Sequence, residues 1–315
     1  MKAWLFTGAH RPLERIERDT PRPARGEVLL KVQASGLCHS DVGRMDGTLT
    51  AYMPKPPPII LGHEVAGIVA EIGADVTDYH VGDRVVVSGT LEFSPGRDRD
   101  GGYATHCVMP TFSLIRLPQT VSFTQGAVAT DAGQTSHHAV VVAGKLRAGQ
   151  RIGIIGLGGL GMTGARIAVL KGAEVHAAEP RRQAWEVAQA QGVRSIVEDV
   201  MGFASLNLDV IVDFAGFGST TAGAVNVVRR GGRVVQVGLG QTQATISTMD
   251  LVAKSVTLRG SAGGSAADTS AVLDLMARGE LKIQASGIGF DEIPAGHARL
   301  ERGGVIGRIV ADMGR

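Results

Sequence analysis

The stretch Ile152-Gly153-Ile154-Ile155-Gly156-Leu157-Gly158-Gly159-Leu160-Gly161 decides the fold. Residues 152–155 read as a buried strand, and the glycine-rich run after them opens a helix over 160–170. A G-x-G-x-x-G pattern alone is a weak signal, but between a strand and a helix it has a physical use. Gly156 permits a tight turn, Gly158 lets the backbone approach a pyrophosphate, and Gly161 lets the helix pack closely on the strand. Gly159 and Leu160 begin the helix, whose unpaired N–H groups would face the phosphates. A tight loop with no ligand is the competing interpretation.

Downstream of this run, strands and helices alternate. Strands are expected at 174–178, 208–213, 233–237 and 256–260, with helices over 181–191 and 220–229. Continuous apolar strands alternating with helices imply a parallel sheet covered on both faces. Glu179 ends the second strand, eighteen residues past Gly161. A carboxylate there can accept both ribose hydroxyls of NAD and would repel a 2′-phosphate. Arg181 lies two residues further on and could meet such a phosphate, so NAD is expected and NADP stays open.

Upstream the pattern differs. Short strands with Gly and Pro punctuation, at 26–32, 65–69, 82–87 and 103–108, read as an irregular β-barrel-like unit. A helical pattern covers 124–145, and a tail with a helix over 268–278 closes the chain. The fold class is therefore α/β with two domains, one of 1–132 together with 268–315 and one of 133–267. A length of 315 residues suits two cores better than one. The net charge of +2 argues against nucleic acid or a membrane surface as partner. Only Cys38 and Cys107 are available as thiols, too few for a disulfide framework, so a reducing, cytoplasmic setting is expected. The opening residues 1–8 carry no long apolar stretch and no window approaches a membrane span, so neither a secretory leader nor a membrane helix is expected. Aromatic residues make up only 4%, so Val, Ile, Leu and Ala must build the cores.

Five motifs follow one another along the chain. They are Gly36-Leu37-Cys38-His39-Ser40-Asp41, Gly62-His63-Glu64 reaching to Gly67, Gly82-Asp83-Arg84-Val85, Gly101-Gly102-Tyr103-Ala104, and the glycine-rich run 156–161. In this order they resemble the zinc-dependent alcohol dehydrogenases of the medium-chain dehydrogenase/reductase superfamily. The resemblance implies a GroES-like irregular β-barrel catalytic domain plus a Rossmann doubly wound domain. It also implies hydride transfer between NAD and a small alcohol, aldehyde or ketone, in a homodimer or homotetramer.

The resemblance assigns roles to individual residues. Cys38 and His63 stand where the family holds its catalytic zinc, with Glu64 beside them. Asp131 occupies the place of the usual third ligand, a cysteine; zinc also accepts a carboxylate oxygen. Asp131 could instead bind a water or cap a helix near Gly133. Ser40 matches the hydroxyl that passes on the alcohol proton, and Asp41 the carboxylate that orients His63. The family's relay histidine is missing, and His39 or solvent could replace it. Thr135, Val237, Gly238 and Ser261 match positions lining the nicotinamide, and Arg308 an arginine on the pyrophosphate. The interval 86–100, where relatives carry a four-cysteine lobe, is short and free of cysteine, so one catalytic Zn2+ and no structural zinc is expected. Two alternatives stay open: a zinc-free quinone or enoyl reductase of the superfamily using NADPH, and a non-catalytic nucleotide-binding protein.

Overall fold

The strand Arg151–Ile155 lies inside a six-stranded, wholly parallel sheet. In sheet order the strands are Ser195–Val197, Glu174–Ala178, Arg151–Ile155, Val210–Asp213, Arg233–Gln236 and Thr257–Gly260. The order reverses at Arg151–Ile155. In such sheets a crevice opens at the carboxyl ends of the strands beside this switch point. The register sets Ile155 opposite both Ala178 and Asp213. Gly156, Glu179 and Phe214 therefore leave the sheet side by side. The helix Gly159–Leu170, capped by Gly158, buries Met162, Ala165, Ile167 and Ala168. Ile152, Ile154, Ile211, Val212, Val234 and Val235 fill the core of the sheet. Each such side chain contributes about 1.5–3 kcal/mol on full burial, which makes up for the scarcity of aromatics. The helix expected over 181–191 divides into a 3-10 turn, Arg182–Ala184, and a short helix, Trp185–Ala190.

The computed structural model describes residues 1–315 and divides them into Met1–Asp131 with Ser265–Arg315, and Ala132–Gly264. The second boundary falls at Gly264 rather than 267. Ser265 caps the helix Ala266–Ala277 through a reciprocal pair with Asp268, so the cap belongs with its helix. No helix is long and apolar enough to cross a membrane.

In the first unit a seven-stranded sheet is built around the long strand Glu27–Leu37. Glu64–Ile72, His106–Pro110 and Arg308–Asp312 all pair with it antiparallel. Register shifts at Leu29/Leu30 and Val32/Ala34 bend this strand, as a barrel-like wall requires. A three-stranded sheet of Glu14–Glu17, Lys2–Phe6 and Ile59–Ile60 completes the unit. The strand expected over 103–108 begins only at His106. The N–H groups of Gly101, Gly102 and Tyr103 donate instead to the carbonyls of Ile60, Gly62 and Leu61, which fixes Tyr103 against the segment before His63.

Candidate functional site

Strand register brings the metal-ligand candidates together. Gly36 lies opposite Glu64, and Leu37 opposite Ile309. The next residues in line, Cys38, His63 and Arg308, thus leave the sheet at one end. Cys38 caps the helix His39–Met45, which carries Ser40 and Asp41 in its first turn. A Cβ at position 36 would lie 2.1 Å from Glu64 Oε2, so only glycine lets the Glu64 side chain cross the strand here. Asp131 enters from a π turn, Ala129–Gly133, within the helical run 123–143. Such turns are rare and concentrate at functional sites.

Ligand atoms of Cys38, His63, Glu64 and Asp131 all lie within 4.8 Å of one another. Cys38 Sγ is 3.4 Å and His63 Nε2 3.8 Å from Asp131 Oδ2. His63 Nδ1 sits 3.4 Å from Asp41 Oδ1, which leaves Nε2 facing the cluster. Asp41 is fully buried and accepts from Arg44 Nη1 at 2.7 Å and Tyr103 Oη at 2.6 Å. Arg308 pairs with Glu64 and, at 3.1 Å, with Asp131.

The electrostatics follow from this packing. Burial alone would raise the Asp41 carboxyl, but His63 and Arg44 hold it far below the usual carboxylate range. Burial would lower His63, yet Asp41 and Asp131 raise it well above its ordinary value. Burial and Asp131 push the Cys38 thiol up, and Arg308 with His63 outweigh them, which favours thiolate. Cys38, Glu64 and Asp131 as anions against Arg308, with His63 in the neutral form that ligates a metal, would leave two negative charges to balance. Unbalanced buried charge costs several kcal/mol per ion, so the cluster suits a divalent cation. Its sulfur, nitrogen and oxygen donors are those zinc accepts.

The dinucleotide candidates occupy the carboxyl ends of the parallel strands. Gly156 has φ +82°, and a Cβ on Gly161 would sit 1.7 Å from Gly156 O. A Cβ on Gly158 would meet nothing within 4 Å, so the backbone there is open to an approaching phosphate. Val237 and Gly238 both donate N–H to Asp213 O at 3.0 Å. The Ser261 hydroxyl is buried and has no hydrogen-bond partner within the chain. Thr135 is buried in the helix Gln134–His137. These features fit a bound dinucleotide.

Residues 24–119 match the alcohol dehydrogenase GroES-like domain, and residues 159–278 match the zinc-binding dehydrogenase domain. An alcohol dehydrogenase of Geobacillus stearothermophilus is 30% identical, over 98% of each chain. The chain belongs to the zinc-type alcohol dehydrogenases of the medium-chain superfamily. Acetophenone reductase from Geotrichum candidum, solved in complex with NAD, is 30% identical with a TM-score of 0.91, over 99% of this chain and 96% of that one. The alcohol dehydrogenase of the hyperthermophilic archaeon Aeropyrum pernix is 26% identical with a TM-score of 0.92, over 99% of this chain and all of that one.

Within this family member, several residues behave differently from their expected roles. The Glu179 carboxylate was expected to lie open to ribose; it is instead bound to Arg181 and to the N–H of Leu157. The exposed His39 ring has its Nε2 3.1 Å from Leu300 O. Ser40 is half-buried beside it. Arg44, Tyr103 and Asp213 were not singled out. Tyr103 stood inside a quoted motif, and Arg44 lies one helical turn after Asp41, so both carried a signal. Asp213 ends the fourth strand as Glu179 ends the second. It accepts from the N–H groups of Ala215 and Gly216 and the hydroxyls of Thr220 and Thr221.

Replacing Asp41 by Asn removes the charge behind His63 while keeping its size. Zinc affinity is expected to fall about 10- to 100-fold, the usual cost of losing such a support. Competition with a chelating dye measures it, and an unchanged affinity would remove Asp41 from that role.

Proposed function

We propose that the protein is an NAD-dependent alcohol dehydrogenase that interconverts a small alcohol with its aldehyde or ketone, using one metal ion held by Cys38, His63 and Asp131. The carrying observation is the convergence of these three ligand atoms and Glu64 within 4.8 Å, with Asp41 behind His63. The alcohol dehydrogenase of Geobacillus stearothermophilus and the NAD complex of acetophenone reductase support the same activity. When bound, zinc supplies Lewis acidity that lowers an alcohol's pKa, and NAD supplies a hydride acceptor.

The protein's own residues do the rest. Asp41, held by Arg44 and Tyr103, fixes the His63 ring so that Nε2 faces the metal position. Ser40, in the first turn of its helix, can accept a proton from a substrate hydroxyl and donate its own onward. Arg308 offsets the charge of Glu64 and Asp131; its reach to a pyrophosphate is carried over from the family. The helix Gly159–Leu170 presents its N-terminus to the phosphates.

The proposal includes no structural zinc, a reading supported by the absence of cysteine between 86 and 100. Hydrogen bonds close that loop instead, from Ser94 N to Asp98 and from Gly96 N to Arg99 O. Elemental analysis of protein purified without chelator should give about one zinc per chain, and NAD reduction should follow addition of members of an alcohol panel. Two zinc ions per chain, or turnover indifferent to chelation, would count against this assignment.

Self-association through the parallel sheet is part of the same proposal. The edge strand Thr257–Gly260 is exposed throughout. Met249 and Val252 on the helix Thr248–Lys254 are 75% and 78% exposed. An open edge flanked by apolar side chains invites pairing with a second copy. Light scattering should show a dimer or tetramer, and Leu258→Lys should shift it toward monomer; a monomeric parent protein would contradict it.

A further inference from the structure

Two neighbouring strands of the parallel sheet, Val210–Asp213 and Arg233–Gln236, end in polar side chains that the register sets opposite each other. Asp213 is fully buried, and every donor on its carboxylate is uncharged. Oδ1 takes Ala215 N at 3.0 Å and Gly216 N at 2.8 Å, and Oδ2 takes the Thr220 hydroxyl at 2.7 Å. The Thr221 hydroxyl has one hydrogen and two acceptors in reach, Gln236 Oε1 at 2.8 Å and Asp213 Oδ2 at 3.1 Å, so it ties the two side chains together. Gln236 Nε2 in turn donates to Gly238 O at 2.7 Å. The main chain repeats the link. Asp213 O accepts from both Val237 N and Gly238 N, and Gly240 N and Gln241 N donate to Ala215 O and Gly216 O. Gln236 O accepts from Ser261 N at 2.9 Å. The two turns also meet backbone to backbone: a Cβ on Gly216 would lie 2.0 Å from Gly238 O, and one on Gly238 would lie 2.4 Å from Phe214 O. Burying a carboxylate on neutral donors is costly unless its bonds are made. What this one provides is geometry, because a single anion holds the turn after its strand and the first turn of the helix Ser219–Val227 at once.

We propose that Asp213 and Gln236 are positioning residues for the nicotinamide end of the cofactor: they lock the turn 214–216 to the segment Val237–Gly238, so that the ring meets a preset surface. The inference rests on the dehydrogenase function above, with Val237, Gly238 and Ser261 lining the nicotinamide. All three of those residues are held by this pair. Asp213 O carries the N–H groups of Val237 and Gly238, Gln236 O carries that of Ser261, and the Gln236 amide fixes Gly238 O. The Asp213 carboxylate fixes Ala215 and Gly216, whose carbonyls anchor the far side of the same segment. The adenine half of the cofactor has no such dependence, since the glycine turn 156–161 lies on a different strand end.

The test compares two probes, NADH and ADP-ribose, which lacks the nicotinamide. Both are titrated on the metal-loaded parent protein, on Gln236→Met, which keeps length and loses both amide bonds, and on Asp213→Asn, which keeps size and loses the charge. Each variant should bind NADH about 10-fold more weakly than the parent, with ADP-ribose affinity kept to within about 2-fold. Retained ADP-ribose binding shows that the dinucleotide unit of a variant is folded. If Asp213→Asn fails to fold, Gln236→Met alone decides the matter. Equal losses for the two probes would mean that the pair merely supports the fold, and unchanged NADH affinity would mean that the segment holds its place without them; either result overturns the proposal. A parent protein that binds neither probe would overturn the dehydrogenase assignment itself and this inference with it.

Discussion

Asp131→Ala should leave the purified protein with almost no bound zinc and lower kcat/KM about 1000-fold, whereas Asp131→Cys should keep both near the parent values. Asp131 Oδ2 lies 3.4 Å from Cys38 Sγ and 3.8 Å from His63 Nε2, so alanine removes one of three converging donors. Two ligands are too few for a site of this kind, which uses three protein donors and keeps the fourth position open. Loss of the ion removes several kcal/mol of charge stabilisation, and each 1.36 kcal/mol is tenfold in rate, which gives the figure of about 1000. Cysteine restores an anionic donor at the same backbone position, and its thiolate is a good zinc ligand. Metal content by elemental mass spectrometry, read beside activity, separates the possibilities. Full zinc occupancy in Asp131→Ala would show that Cys38, His63 and Glu64 hold the metal without Asp131. Loss of activity with zinc retained would make Asp131 a partner of Arg308, to which it lies at 3.1 Å, and not a ligand.

Legibility in the sequence followed the range of the interactions. The strand, glycine loop and helix at 152–170 lie within one local unit, and the observed Arg151–Ile155 and Gly159–Leu170 match it to within a residue at each end. The strands at 174–178, 208–213 and 233–237 were also readable, from apolar runs between turn signals, whereas the edge strand Ser195–Val197 was missed because it is only three half-buried residues long. What joins Cys38, His63 and Arg308 was not readable from spacing. It depends on the antiparallel registers Gly36 with Glu64 and Leu37 with Ile309, set between segments far apart in sequence. The family pattern supplied the pairing of Cys38 with His63. It did not show that Arg308 lies against Glu64 and Asp131, because pairing of side chains depends on the packing of this chain. Glu179 was located correctly at its strand end, while its engagement by Arg181 was not foreseen. A residue two positions along a turn can fold back onto the acid or point to solvent, and the sequence does not distinguish these. The strand start at His106 in place of 103 has the same origin: the carbonyls of 60–62 compete for the backbone of Gly101 to Tyr103.

Gly161→Ala should weaken NADH binding about 100-fold and destabilise the fold, while Gly158→Ala should weaken binding with little change in stability. The two glycines stand three residues apart and serve different purposes. At position 161 a methyl carbon would lie 1.7 Å from Gly156 O, a contact with backbone that no side-chain rotation can relieve. The helix Gly159–Leu170 must then shift from the sheet. Overpacking of this kind costs about 1–3 kcal/mol or more. A displacement near 1 Å at a binding site can cost about 100-fold, and here it moves the helix N-terminus that faces the phosphates. At position 158 a methyl carbon meets no protein atom within 4 Å, so the fold accepts it, but it projects where the pyrophosphate must approach the backbone. Thermal unfolding and NADH titration on both variants give four readings that must agree. Gly158→Ala binding NADH like the parent would move the pyrophosphate away from this loop. A Gly161→Ala protein as stable as the parent would show that the helix is not held at the separation the glycine permits.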